Sequence, residues 1–133
     1  PVLAECRRVL APGGALVALG EPDYGGRRDE PAELAGLGEM FRNDLASKGA
    51  DPRMGPRLPG LFAQAGFKVS TGSVEYAWDN ERHRGQFDNE WRVIAAVMPM
   101  TDELRSLKER EREAIEQGSR RSMMPVHWCV GRR

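Results

Sequence analysis

Three side chains in one turn-rich stretch have types suited to chemistry: Glu21, Asp23 and Tyr24, within residues 20–26. They follow the unbroken apolar run Ala15, Leu16, Val17, Ala18 and Leu19. Carboxylates there could accept a hydrogen bond from a ligand or take a proton from its hydroxyl or amine. Tyr24 could pack on the same ligand. The competing reading is a solvated turn in which Asp23 bonds its own backbone, and the residue types alone leave both open. His83 and His127 are the only histidines. His83 falls in the polar stretch 79–85 and is expected at the surface; His127 falls on the second face of the last strand. Nothing in the sequence pairs either with a partner. Cys6 and Cys129 belong to no CxxC or Cys/His cluster, so no metal site can be written, and both are expected to be reduced, half-buried thiols. Gly13 and Gly14 do not make a phosphate cradle, because that turn follows a helix and opens a strand, the reverse of a phosphate loop.

The elements that would position these groups follow from hydrophobic spacing. Val2, Leu3, Cys6, Val9 and Leu10 recur at helical intervals over residues 1–11. Pro12, Gly13 and Gly14 then stop the helix. Residues 15–19 predict a strand buried on both faces, as in a parallel sheet covered by helices, and residues 20–30 a loop at its C-terminal end. Ligands bind at that edge in open α/β sheets. Leu34, Leu37, Phe41 and Leu45 form the stripe of a helix from Pro31 to Gly49, with Asp29 or Glu30 as its cap. Residues 50–56 read as loop and 58–65 as a short helix. Residues 67–78 read as a strand, with Gly72 as a candidate bulge. Residues 79–85 read as a polar connection and 88–98 as a helix presenting Trp91, Ile94 and Met98. Thr101 caps a further helix whose inner face is Leu104, Leu107, Ala114 and Ile115 and whose outer face is charged through residues 108–113, Glu111 included. Residues 121–132 form the last strand, with Met124, Val126, Trp128 and Val130 on one face. Trp91 and Trp128 fit the core. Arg27 and Arg28 are expected in solvent; Arg120 and Arg121 could add to an anionic-substrate patch, a weaker reading than solvated charge.

The 133 residues include 20 Lys and Arg and 20 Asp and Glu. This balance gives no field of one sign to draw the chain toward nucleic acid or an anionic membrane. No apolar run spans a bilayer, and a cytoplasmic location is expected. The chain opens at Pro1 inside a helical pattern, which suggests a portion of a longer reading frame.

Arg8, Leu10, Pro12, Gly13, Gly14 and Leu16 stand in the pattern R-x-L-x-PGG-x-L. This resembles the segment leading into the fifth strand of class I S-adenosylmethionine-dependent methyltransferases. Leu61, Phe62, Ala65, Gly66 and Phe67 resemble the segment leading into the sixth strand of that family. Residues 125–133 fit its antiparallel seventh strand. The resemblance implies an α/β fold: the C-terminal half of a Rossmann-like seven-stranded sheet, three strands here with the last antiparallel. Residues 1–133 would be a partial methyltransferase domain, with residues 79–118 a helical insert shaping the acceptor pocket or a lid.

Residues 20–26 also resemble a loop bordering the pocket in small-molecule methyltransferases. By that likeness Glu21 and Asp23 are the catalytic candidates, and Pro22 and Tyr24 the substrate-binding ones. The implied cofactor is S-adenosylmethionine and the implied partner a small-molecule acceptor. The family's glycine-rich cofactor loop and ribose-binding acid have no counterpart, since G-x-G-x-G does not occur. The cofactor contacts are therefore expected outside this chain, which alone would be inactive. Two alternatives remain: a nicotinamide-dependent Rossmann-type enzyme, and a non-catalytic α/β interaction module.

Overall fold

A computed structural model describes all of residues 1–133. Helix α1 (Val2–Val9) leads through a turn at Gly13, φ 77°, into strand β1 (Ala15–Pro22). Strand β2 (Arg28–Glu30) and a 3-10 turn (Ala32–Leu34) precede α2 (Ala35–Ser47) and α3 (Met54–Gln64). Then come β3 (Lys68–Trp78), α4 (Asn80–Val97), α5 (Asp102–Glu116) and β4 (Arg121–Arg132). The architecture is α/β, with five α-helices and one open, four-stranded antiparallel sheet.

The last strand is the centre of the sheet. β3 pairs with β4 along its whole length, from Lys68 opposite Arg132 to Trp78 opposite Ser122. On the other side β1 pairs with the C-terminal part of β4, and β2 pairs with residues Arg121, Ser122 and Met123. Every pairing is antiparallel, so β1, β2 and β3 run one way and β4 runs against them. Alternation along the strands sorts the side chains by face. Leu16, Ala18 and Cys129 point toward α1 and α3, where they meet Leu3, Leu10, Leu58, Phe62 and Phe67. A second core lies among α2, α4 and α5 and is built on Leu34, Leu37, Trp91, Ile94, Leu104 and Leu107.

Several expectations are corrected. The run 15–19 is not buried on both faces of a parallel sheet. Its single neighbour is antiparallel β4, and Val17 and Leu19 are 50 % and 76 % exposed. The sheet has four strands and not three, because Arg28–Glu30 pairs with β4 without any apolar pattern of its own. The irregular register lies in β1, between Ala18 and Glu21, where Gly20 has φ 75°. Gly72 lies in an unbroken register, and a Cβ there would come within 2.7 Å of the Trp128 ring, so close approach explains it. Helix α3 begins at Met54, inside the expected loop; Pro56 falls in its first turn, where the missing N–H had no helical partner to lose. Helix α4 begins at Asn80, inside the expected polar connection, with the Asp79 carboxylate accepting from the Arg82 N–H. Asp29 caps nothing; its carboxylate is taken by two arginines. Thr101 does cap α5, its hydroxyl accepting from the Leu104 N–H.

Two glycines make opposite predictions. A Cβ at Gly131 would lie 2.6 Å from Phe62 Cδ1 and 2.9 Å from Phe67 Cβ. Gly131→Ala therefore overpacks the sheet core and should lower the unfolding free energy by about 1–3 kcal/mol. Gly60 is exposed on α3, and a methyl added there would have nothing within 4 Å. Gly60→Ala should raise it by about 0.5–1 kcal/mol. Urea midpoints of the two variants against the parent chain check both signs.

Candidate functional site

On the sheet face turned away from α1 and α3, a cleft of about 370 Å³ opens beside the start of β4. β3 supplies Tyr76 and Trp78 to its wall, β4 supplies Ser122, Met124 and Val126, and α4 supplies Arg82 and Glu90. Gly20 and Arg27 close it from the β1–β2 side. β2 and β3 end where β4 begins, and the cleft lies over that end of the sheet. The Arg82 guanidinium lies over the Trp78 ring, 4.5 Å from its centroid. That contact holds the indole in place and leaves a positive charge on the wall.

Beneath the cleft lies a buried ionic cluster. Arg120 has no solvent exposure. Its Nε donates to Glu111 Oε1 at 2.7 Å and its Nη2 to Asp29 Oδ1 at 2.8 Å. Asp29 also accepts from Arg27 Nε and Nη2, at 2.8 and 2.9 Å. The second oxygen of Glu111 accepts from Trp91 Nε1 at 2.8 Å. His83, 2 % exposed, bridges this cluster to the cleft. Its Nε2 is 2.9 Å from the Ser122 hydroxyl. Its Nδ1 is buried without a hydrogen-bond partner and faces two carboxylates: Glu111 Oε1 at 3.8 Å and Glu90 Oε2 at 3.9 Å. The donor atoms of His83, Glu90 and Glu111 lie within 4.8 Å of one another, close enough to hold a cation between them. Arg120 already places a guanidinium on the Glu111 oxygen that points there.

Burial alone would raise the Asp29 carboxyl pKa. The bonds and charges of Arg27, with those of Arg120, outweigh it and hold the group below its usual value. A carboxyl depressed in the folded state contributes stability above its unfolded pKa, about 3.9, and loses it as pH falls through the folded value.

Glu21, Pro22, Asp23 and Tyr24 lie elsewhere. Glu21 and Pro22 are the last residues of β1, opposite His127 and Val126. Asp23 Oδ1 accepts from the Gly25 N–H at 2.9 Å, and the Tyr24 ring lies 6.0 Å from that of Phe41. All four are half-buried, and none lines the cleft. His127 packs on Gly55 of α3, on the face opposite the cleft. Cys6 and Cys129 are free thiols, the first half-buried and the second buried.

Sequence reasoning does not single out the cleft or the cluster, and four expectations about their members are corrected. His83 is not exposed, because α4 begins before it and carries it inward. Glu111 is not on an outer face. Arg27 is not solvated: it is paired with Asp29 and its side chain is 13 % exposed. Arg120 joins no surface patch. A signal for two of these existed. His83 is in phase with Phe87, Trp91 and Ile94, and Glu111 is in phase with Leu104, Leu107 and Ala114. Gly85 and the run of charges hid the first; the charge of Glu111 hid the second.

No protein-family model matches the chain, and a search of curated proteins finds no match either. No helix is long and apolar enough to cross a membrane.

Asp29→Asn removes one charge from two buried guanidinium contacts. Stability near neutral pH should fall by about 3 kcal/mol. The unfolding free energy of the parent should drop as pH falls below about 4, and that drop should be shallower in the variant. Urea titrations from about pH 7 down to the acid limb read both effects.

Proposed function

We propose that this chain is part of a class I S-adenosylmethionine-dependent methyltransferase domain and that the cleft receives a small-molecule methyl acceptor. The observation in favour is the strand arrangement. The last strand runs antiparallel between β1 and β3, which themselves run in the same direction. The two segments that resemble the family, residues 8–16 and 61–67, lead into those two strands. Four antiparallel-paired strands are compatible with the C-terminal part of a seven-stranded sheet whose remaining strands lie elsewhere.

The residues present do not fit the cofactor. Gly25 and Gly26 are filled in by their neighbours: a Cβ at Gly25 would meet the Arg53 side chain at 2.4 Å, and one at Gly26 would meet Asp23 at 2.8 Å. Gly13 and Gly14 stand at the opposite edge of the sheet from the cleft. On this reading the chain acts on the acceptor side. Trp78, Tyr76, Met124 and Val126 offer an apolar surface against which an acceptor is oriented and shielded from water. Arg82 brings a positive charge to the wall and Glu90 a negative one, while Arg27 is already paired with Asp29. Correct placement is a large part of what such a reaction asks of a protein.

The interaction-module reading has one observation in its favour. Val17, Leu19, Val74 and Tyr76 are each at least half exposed, on β1 and β3. A surface of that kind suits a partner as well as another part of a domain.

Calorimetric titration with S-adenosylmethionine separates the two. A chain extended upstream of Pro1 through a glycine-rich strand–turn–helix should bind the cofactor, and residues 1–133 alone should bind it weakly or not at all. Tight binding by residues 1–133 alone, or none by the extended chain, would defeat the methyltransferase reading.

A further inference from the structure

We propose that the cleft deprotonates its ligand: Ser122 and His83 form a relay that carries a proton from an aromatic hydroxyl compound to the buried imidazole. The inference rests on the methyltransferase reading only in taking the cleft as the place where an acceptor sits. It needs no methyl donor.

The orphaned nitrogen comes first. His83 Nδ1 is buried, lacks a hydrogen-bond partner and faces Glu90 and Glu111 at 3.9 and 3.8 Å. A bare lone pair directed at two carboxylates is repulsive, so the proton of the neutral ring belongs on Nδ1. Nε2 then accepts from the Ser122 hydroxyl at 2.9 Å. Ser122 lines the cleft, whereas His83 does not, so the hydroxyl is the path from ligand to base.

Every element packed on the imidazole bears on its charge. α4 contributes Glu90, α5 contributes Glu111, and β3 contributes the neutral Trp78 ring, 5.3 Å from that of His83. Behind Glu111 stand Arg120, then Asp29 and Arg27. Three carboxylates thus face two guanidinium groups, and one more positive charge balances the set. The proton delivered from the ligand to Nε2 supplies that charge. A divalent ion would exceed it, and would share Glu111 Oε1 with Arg120 at 2.7 Å.

The cleft wall selects the ligand class. Tyr76, Trp78, Met124 and Val126 give the wall an apolar character suited to an aromatic body. Arg27 is already paired with Asp29, so Arg82, which pairs with no carboxylate, is the charge on the wall open to a ligand that becomes an anion, with Glu90 opposing it on the same wall. In the step, the ligand O–H bond breaks and its proton passes to Ser122 Oγ as the Ser122 proton passes to His83 Nε2. The electron pair stays on the ligand oxygen as phenolate, and no oxidant or reductant is involved.

The probe 4-nitrophenol tests this, because its phenolate is coloured. Equilibrium dialysis against the 133-residue chain gives the amount bound. Absorbance gives the phenolate fraction of the bound probe, at a pH where the free probe is mostly protonated. For the parent chain the bound phenolate-to-phenol ratio should exceed that of the free probe by about tenfold, one unit of ionisation. Ser122→Ala and His83→Gln should still bind the probe but lose the excess. Ser122→Ala alone suffices should His83→Gln fail to fold. An equal excess in Ser122→Ala assigns the effect to Arg82 and overturns the relay. So does bound probe without any excess in the parent, or no binding up to the solubility of the probe. None of these results depends on S-adenosylmethionine binding, so this inference and the methyltransferase reading fail separately.

Discussion

Arg120 carries a full charge with no access to water, and much of the molecule is arranged around that fact. Its guanidinium donates to Glu111, Asp29, the Glu30 carbonyl and its own neighbour's carbonyl at Arg121. Dehydrating such an ion costs several kcal/mol, and only well-placed acceptors offset it. Those acceptors come from β2, from α5 and from the start of β4. Satisfying one side chain therefore fixes where three elements meet. Arg27 follows, because it shares Asp29, and with Arg27 one wall of the cleft is set. Asn80 adds a second tie, donating to the Ile115 carbonyl at the end of α5 and accepting from the Arg120 N–H. The beginning of α4 is thereby held against the same junction.

The sheet joins this junction to a different kind of core. The C-terminal half of β4 lies on α1 and α3, with Cys129 fully buried and Gly131 thinned to admit Phe62 and Phe67. Contacts there are apolar and tight. The N-terminal half, from Arg121 to Met124, borders the ionic cluster and the cleft. One strand thus spans a close-packed end and a polar end. The apolar face of β1 and β3 between them is open, with Val17, Leu19, Val74 and Tyr76 in contact with solvent.

What could be read from the sequence and what could not divides along the same line. Elements defined by apolar periodicity were legible: α1, the last strand, the Thr101 cap of α5 and the inward phase of Trp91. So was the turn at Gly13, because proline and glycine punctuate the chain locally. The cleft was not. Its walls come from β1 and the turn after it, from β3 and α4, and from β4, three stretches far apart in the chain. Its base cluster consists of charged residues, which periodicity assigns to the surface by default. β2 shows the difficulty in small compass. Arg28, Asp29 and Glu30 carry no strand signal, and they pair with β4 at a place that the ionic contacts of Asp29 help to hold. A long-range ion pair has no local signature. The stretch 20–26 attracts attention because its acidic residues stand alone between glycines; the structure uses Asp23 to close that turn.

A buried ion cluster is weak evidence of a gain in stability. Buried ion pairs seldom gain over well-packed hydrophobic replacements of similar volume. Such a replacement would still join β2, α5 and β4. It would not bring a carboxylate to His83. Glu111 is held by Trp91 on one oxygen and Arg120 on the other, so its orientation is fixed from both sides before the imidazole is considered. Glu90, one-third exposed at the cleft wall, approaches the same nitrogen from the side of the ligand. The arrangement thus sets a buried base between one carboxylate locked in the interior and another in contact with the cleft. That asymmetry is what the ionic cluster provides and an apolar core could not.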